Sequence, residues 1–144
     1  MTEDVGLARQ RPILVAMRVP DSIGFSLEMG FDLDTWLKEG LMDILITTDY
    51  FRLNPWSHSV ELGHRHGVKV YPALTDPRVK DETRFHRAGL NAYRARAASA
   101  WASGADGLYL FNLYDIDRKS PLWRELGDPD ALAFTDKEYF LTDL

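Results

Sequence analysis

The chain has no cysteine, so no disulfide framework can hold it together. It has no run approaching the roughly 18 unbroken apolar residues of a membrane-spanning helix. Its first residues, "MTEDVGLARQRP", lack the apolar core of a secretion signal. It also lacks an excess of base: 17 Lys and Arg face 22 Asp and Glu, a net charge of −5. That balance leaves no electrostatic footprint for nucleic acid and no polybasic patch for an anionic membrane. The one cluster of arginines, in "FHRAGLNAYRARAA", reads as the solvated face of a helix. No Gly-rich phosphate loop, Walker motif or Ser-centred elbow is present, which removes support for phosphoryl and acyl transfer. None of these absences fixes a compartment.

What is present is the material of one domain. In 144 residues, 45% are hydrophobic and 12% aromatic, enough to bury a core and too much for a disordered chain. Four runs stand out: "ILVAMRVP" (13–20), "DILITT" (43–48), "VKVYPAL" (68–74) and "DGLYLFNL" (106–113). They are apolar nearly throughout, as strands are when both faces of a parallel sheet are covered.

Helical patterns separate them. In "DLDTWLKEGLM", Leu33, Trp36, Leu37 and Leu41 recur at helical spacing, with Asp32 and Asp34 placed to cap the start. In "NPWSHSVELGHRHG", Asn54 is the expected cap, Pro55 the first helical residue and Gly67 the stop. In "HRAGLNAYRARAASAWASG", Leu90, Tyr93, Ala97 and Trp101 form one stripe that ends at Gly104. Trp36 and Trp101 read as core packing. The order β-α-β-α-β-α-β with short links predicts an α/β fold of parallel β-α repeats in a single domain, residues 1–144, with a helical tail over about 118–144. Two architectures fit: a doubly wound sheet of flavodoxin type, which takes five strands, or part of a (β/α)8 barrel, which takes about 250 residues in full.

Three stretches bear on that choice: "RPILVAMRVPDS", "GFDLDTWLKEGLMDILI" and "YRARAASAWASGADGLYLFNLYD". Over residues 11 to 117 they resemble the C-terminal half of a family of glycosyl-hydrolase-like TIM-barrel proteins. The most specific phrase is "W-x-x-G-A-D-G-x-Y-L-F-N", supported by "D-x-x-x-W-x-x-x-G-x-x-D". The resemblance implies a partial (half) TIM barrel of about four strands, equivalent to strands five to eight, with "MTEDVGLARQ" ending the preceding helix. It also implies a carbohydrate-active domain that binds or hydrolyses a glycan, incomplete as a catalyst alone. The alternative is a non-catalytic binding or scaffold half barrel. Four parallel strands leave two open edges, so the expected partner is a second copy or the remainder of a longer barrel chain.

Function in such folds gathers at the carboxyl ends of the strands. There the sequence offers Arg18 and Asp21, then Asp49 and Tyr50, then Tyr71 and Asp76, then Asn112, Tyr114 and Asp115. Arg18 shares side-chain parity with Leu14 and Ala16, and Asn112 with Leu108 and Leu110, so both are expected at a barrel mouth, binding hydroxyls or a carboxylate. Tyr50, Trp56, Tyr71 and Tyr114 are candidate platforms for a carbohydrate or another small polar ligand. Plainer uses compete: Arg18 can pair with Asp21 or Asp115, and Asn112 can bond a loop backbone. Glycosidic hydrolysis takes two carboxyl groups about 5 to 9.5 Å apart. The resemblance places the acid after barrel strand four, outside this chain, and the nucleophile in "VYPALTD", where Asp76 stands without a glutamate; Asp115 is the other catalytic candidate. No cofactor or metal is expected, since His64 and His66 point about 200° apart on a helix and instead suit its negative end.

Overall fold

In the computed structural model, residues 2–48, 53–75, 89–114 and 116–140 are described. The elements run α1 (Thr2–Ala8), β1 (Ala16–Val19), α2 (Ile23–Glu28), α3 (Leu33–Lys38), β2 (Ile44–Thr47), α4 (Trp56–Arg65), β3 (Lys69–Thr75), α5 (Leu90–Ala102), β4 (Tyr109–Phe111), α6 (Leu122–Glu125) and α7 (Pro129–Ala133). The strands form one parallel sheet in the order β1-β2-β3-β4. Ala16 lies opposite Ile44, Ile44 opposite Lys69, and Ala73 opposite Tyr109. That order decides between the two architectures. A doubly wound sheet reverses direction partway and carries helices on both faces. Here each strand is laid on the same side of the last, and the helices collect on one face. The result is an open half-barrel sheet.

The covered face is read from alternation along each strand. Val19, Leu45 and Val70 are buried against Leu33 and Leu37 of α3 and Val60 and Leu62 of α4. Leu74, Leu108 and Leu110 pack with Tyr93, Ala97 and Ala100 of α5. The alanines let α5 lie close to the sheet, and α4 approaches through Gly63, where a Cβ would run into the Val70 side chain and the Val68 carbonyl.

The lower ends of the strands are fixed by one device used repeatedly. Helices α1 to α5 each stop at a residue with positive φ: Gln10, Gly30, Gly40, Gly67 and Gly104. Two backbone bonds close each end. After α4, Gly67 N–H donates to His64 O and Val68 N–H to Gly63 O, both at 3.0 Å; after α5, Gly104 donates to Trp101 O and Ala105 to Ala100 O. These are Schellman motifs, which satisfy the last carbonyls of a helix and turn the chain back. Two aspartates then clamp neighbouring strands. Asp43 accepts from Val15 N–H at 2.7 Å, and Asp106 from Val70 N–H at 2.8 Å.

Several boundaries differ from the sequence reading. Three strands are shorter than expected: Ile13 and Leu14 are exposed ahead of β1, β2 spans only Ile44–Thr47 and β4 stops at Phe111, while β3 keeps its length one residue later, at Lys69–Thr75. The short helix α2, capped by Ser22, was not anticipated. Asp32 caps α3 as expected, accepting from Thr35 N–H. Asn54 does not cap α4, because its amide donates to Asp21 O; Pro55 stands at the cap and Trp56 starts the helix. The third helix is described from Leu90, and residues 86–88 of its expected start lie outside the described residues.

The tail docks on the outside of α5. Arg94 Nε and Nη2 grip the two oxygens of Glu125 at 2.8 and 3.0 Å, with both side chains largely buried. This bond raises the Arg94 pKa and holds the Glu125 carboxyl below its ordinary value. Trp101 Nε1 donates to Leu126 O at 2.9 Å. Gly63→Ala should therefore be costly. A methyl with no room between α4 and β3 is expected to remove about 1–3 kcal/mol, the usual range for overpacking, read as a fall in the urea midpoint at unchanged slope.

Candidate functional site

The other face of the sheet is concave, and no described helix covers it. Alternation places Ala16 and Arg18 of β1, Ile44 and Ile46 of β2, Lys69, Tyr71 and Ala73 of β3, and Tyr109 and Phe111 of β4 on it. Arg18 and Phe111 sit on opposite edge strands, Arg18 level with Tyr71 and Phe111 level with Thr75 four residues on, so in a flat sheet they would be about 20 Å apart. Even so, the Arg18 guanidinium carbon lies 3.9 Å from the Phe111 ring centroid. The sheet curls until side chains from its two edges meet across the hollow.

Around that contact the face is aromatic. The Tyr109 and Phe111 rings stack at 6.4 Å between centroids and 23° between planes. Tyr71 packs over Gly107, two residues ahead of β4: a Cβ there would sit 2.8 to 3.0 Å from three ring atoms. Gly107 thus leaves the space the Tyr71 ring occupies. Arg96 of α5 donates to Thr75 O at 2.9 Å, tying that helix to the carboxyl end of β3.

The residues singled out from the sequence fall into different places. Arg18 is on the concave face and exposed, and among the described residues it makes no hydrogen bond or ion pair. Tyr71 is there too, half-buried. Asp21 is not. It is 0% exposed, and its carboxylate accepts from Leu53 N–H and from Asn54 N–H, the latter at 2.7 Å. It ties the end of β1 to the approach of α4, so its oxygens are spent within the fold and do not pair with Arg18. Asn112 is also corrected. Its parity partners Leu108 and Leu110 face the helix-covered side, and Asn112 itself leaves the strand at φ 57. Asparagine tolerates that left-handed conformation better than most side chains. The amide in an apolar run therefore marks the end of a strand, not an inward mouth position. Tyr114 is 86% exposed beyond it, and Trp56 is buried in the core, where no ligand can stack on it. Asp49, Tyr50, Asp76 and Asp115 lie outside the described residues.

Tyr109 and Phe111 were missed. The signal was in "GLYLF" from Gly107: glycine and aromatics alternate with leucines, so one face is aromatic and the other aliphatic. Treating the leucines as inward inverted the strand.

Charge on the concave face is one-sided. Its described ionised side chains are Arg18 and, toward the opposite end, Lys69; no described carboxylate shares it. Thr47 at the end of β2 faces the core, its hydroxyl buried without a hydrogen-bond partner. The shifted carboxylates lie elsewhere and serve the fold. Burial alone would raise the Asp106 pKa. The Val70 N–H, the 2.7 Å contact with His64 Nε2 and the nearby charges of His64 and Lys69 outweigh it and hold that carboxyl below its ordinary value. Among the described residues, no group of three or more His, Asp or Glu is placed to hold a metal.

Compared with known proteins, the chain matches no family model and no curated sequence.

The pairing of Tyr71 with Gly107 is directly testable. Gly107→Ala is expected to cost about 1–3 kcal/mol, as overpacking does, and to cost much less in a Tyr71→Ala background. Equal costs in the two backgrounds, measured by denaturant unfolding, would show that the ring does not rest on the glycine.

Proposed function

We propose that the concave face is a carbohydrate-binding surface. The observation that carries this is the grouping of Tyr71, Tyr109 and Phe111 with Arg18 on the helix-free side of the sheet. Sites for small polar molecules combine apolar and aromatic walls with a few polar groups that fix orientation. Flat rings suit the C–H faces of a sugar, and a guanidinium with unspent donors suits its oxygens. The likeness of "W-x-x-G-A-D-G-x-Y-L-F-N" to glycoside-hydrolase-like barrels supports the same substrate class. The reading is one of binding. Hydrolysis takes two carboxyl groups, and the described concave residues offer none, so cleavage would need carboxylates from outside them.

A second use of the face is favoured by the open edges. Among the described residues, β1 and β4 each pair on one side only. β4 of one copy can continue in parallel into β1 of another, and the closed ring would bury the aromatic rings of both.

One set of measurements separates the two. Screened against a glycan array and followed by calorimetry, the wild-type chain should bind a defined set of oligosaccharides. Arg18→Ala and Tyr109→Ala should each weaken binding at least tenfold, and Lys38→Ala, on the exposed side of α3, should not change it. A chain that binds no glycan but sediments as a dimer at micromolar concentration would replace the binding reading with self-association.

A further inference from the structure

We infer that the sugar taken by this face is acidic, with its carboxylate or phosphate group held by Arg18. This rests on the carbohydrate reading above and names the substrate class. Three observations carry it. First, the chain is acidic overall, at −5, yet at the carboxyl end of its concave face the one described charged side chain is Arg18, Lys69 lying at the other end near Asp106. Anions are thus favoured at the one surface where the sheet forms a hollow.

Second, Arg18 is held but not consumed. Its guanidinium carbon lies over the Phe111 ring, 3.9 Å from the centroid, and no described carboxylate or carbonyl takes its N–H donors. The ring limits the orientations of the group while leaving its edge free. That edge is the part of arginine that meets carboxylate or phosphate oxygens in a paired, bidentate fashion. The carboxylate nearest in sequence, Asp21, is turned away and occupied by Leu53 and Asn54.

Third, the neighbours supply what a sugar acid needs besides charge. Phe111 carries the guanidinium and Tyr109 stacks with Phe111, so a pyranose ring can lie on Tyr109 while its acid group reaches Arg18. A bare anion would use the arginine alone and gain nothing from the rings.

The test uses the full chain and calorimetric titration with four sets of probes. These are trisaccharides of galacturonate, glucuronate and mannuronate; their carboxyl-reduced neutral counterparts; hexose 6-phosphates; and inorganic phosphate. The expected result is at least one acidic sugar bound tenfold or more tightly than its neutral counterpart, with that preference lost in Arg18→Gln. Tyr109→Ala should weaken acidic and neutral forms together. Whether uronates or hexose phosphates show the preference tells which acid group is read. If neutral sugars bind as tightly as acidic ones, or the preference survives Arg18→Gln, this inference is wrong and the carbohydrate reading stands. If inorganic phosphate binds as tightly as the hexose phosphates and no uronate binds, Arg18 is a bare anion site and the inference fails. If no sugar binds here or on the glycan array, both readings fail.

Discussion

A parallel sheet whose strands follow one another in chain order has only one face that its own crossovers can cover. Everything else in this molecule follows from that constraint. The leucines and valines of the four strands are sorted to the side where α3, α4 and α5 lie, and that side holds the two core clusters. The opposite side is left to residues that must satisfy themselves or wait for a partner. Sheet curl brings them together, so residues at opposite edges meet in space.

The two ends of the sheet are built differently. At the lower end, the helices that feed strands, α1, α3, α4 and α5, terminate in Schellman motifs, and Asp43 and Asp106 pin adjacent strands. The repetition gives the same exit geometry each time, which strands laid down in regular succession require. At the upper end, Asp21 fastens the end of β1 to Leu53 and Asn54 through buried charge-assisted bonds. Rigid ends on a curled sheet hold the concave side chains in a fixed arrangement. The cation–π contact of Arg18 with Phe111 is itself modest, worth about 0.5–2 kcal/mol. Its importance is in orientation.

The architecture was legible because its signals are local. Apolar runs, helical spacing and glycines after helices identified all four strands and placed α3, α4 and α5 among them, and Asp32 and Gly67 behaved as their chemistry suggests. The site was legible only in part. Parity placed Arg18, and position on the third strand suggested Tyr71; both lie on the concave face. Asn112 misled because parity was extended through a residue whose φ of 57 had already ended the strand. Tyr109 and Phe111 were missed for the same reason, since choosing Leu108 and Leu110 as inward turned β4 over. Asp21 looked like a mouth residue because nothing in sequence joins it to Leu53 and Asn54, more than 30 residues away. Long-range bonds of that kind have no local signature.

The sheet curls enough for Arg18 of β1 to lie over the ring of Phe111 of β4. The most direct measurement is the NMR chemical shift of the Arg18 Hδ and Hε protons in the wild-type chain and in Phe111→Leu. A guanidinium lying over the ring face is shielded, so these resonances should sit upfield in the wild type and move downfield when the ring is removed. Resonances at ordinary arginine positions, unchanged by Phe111→Leu, would contradict the account.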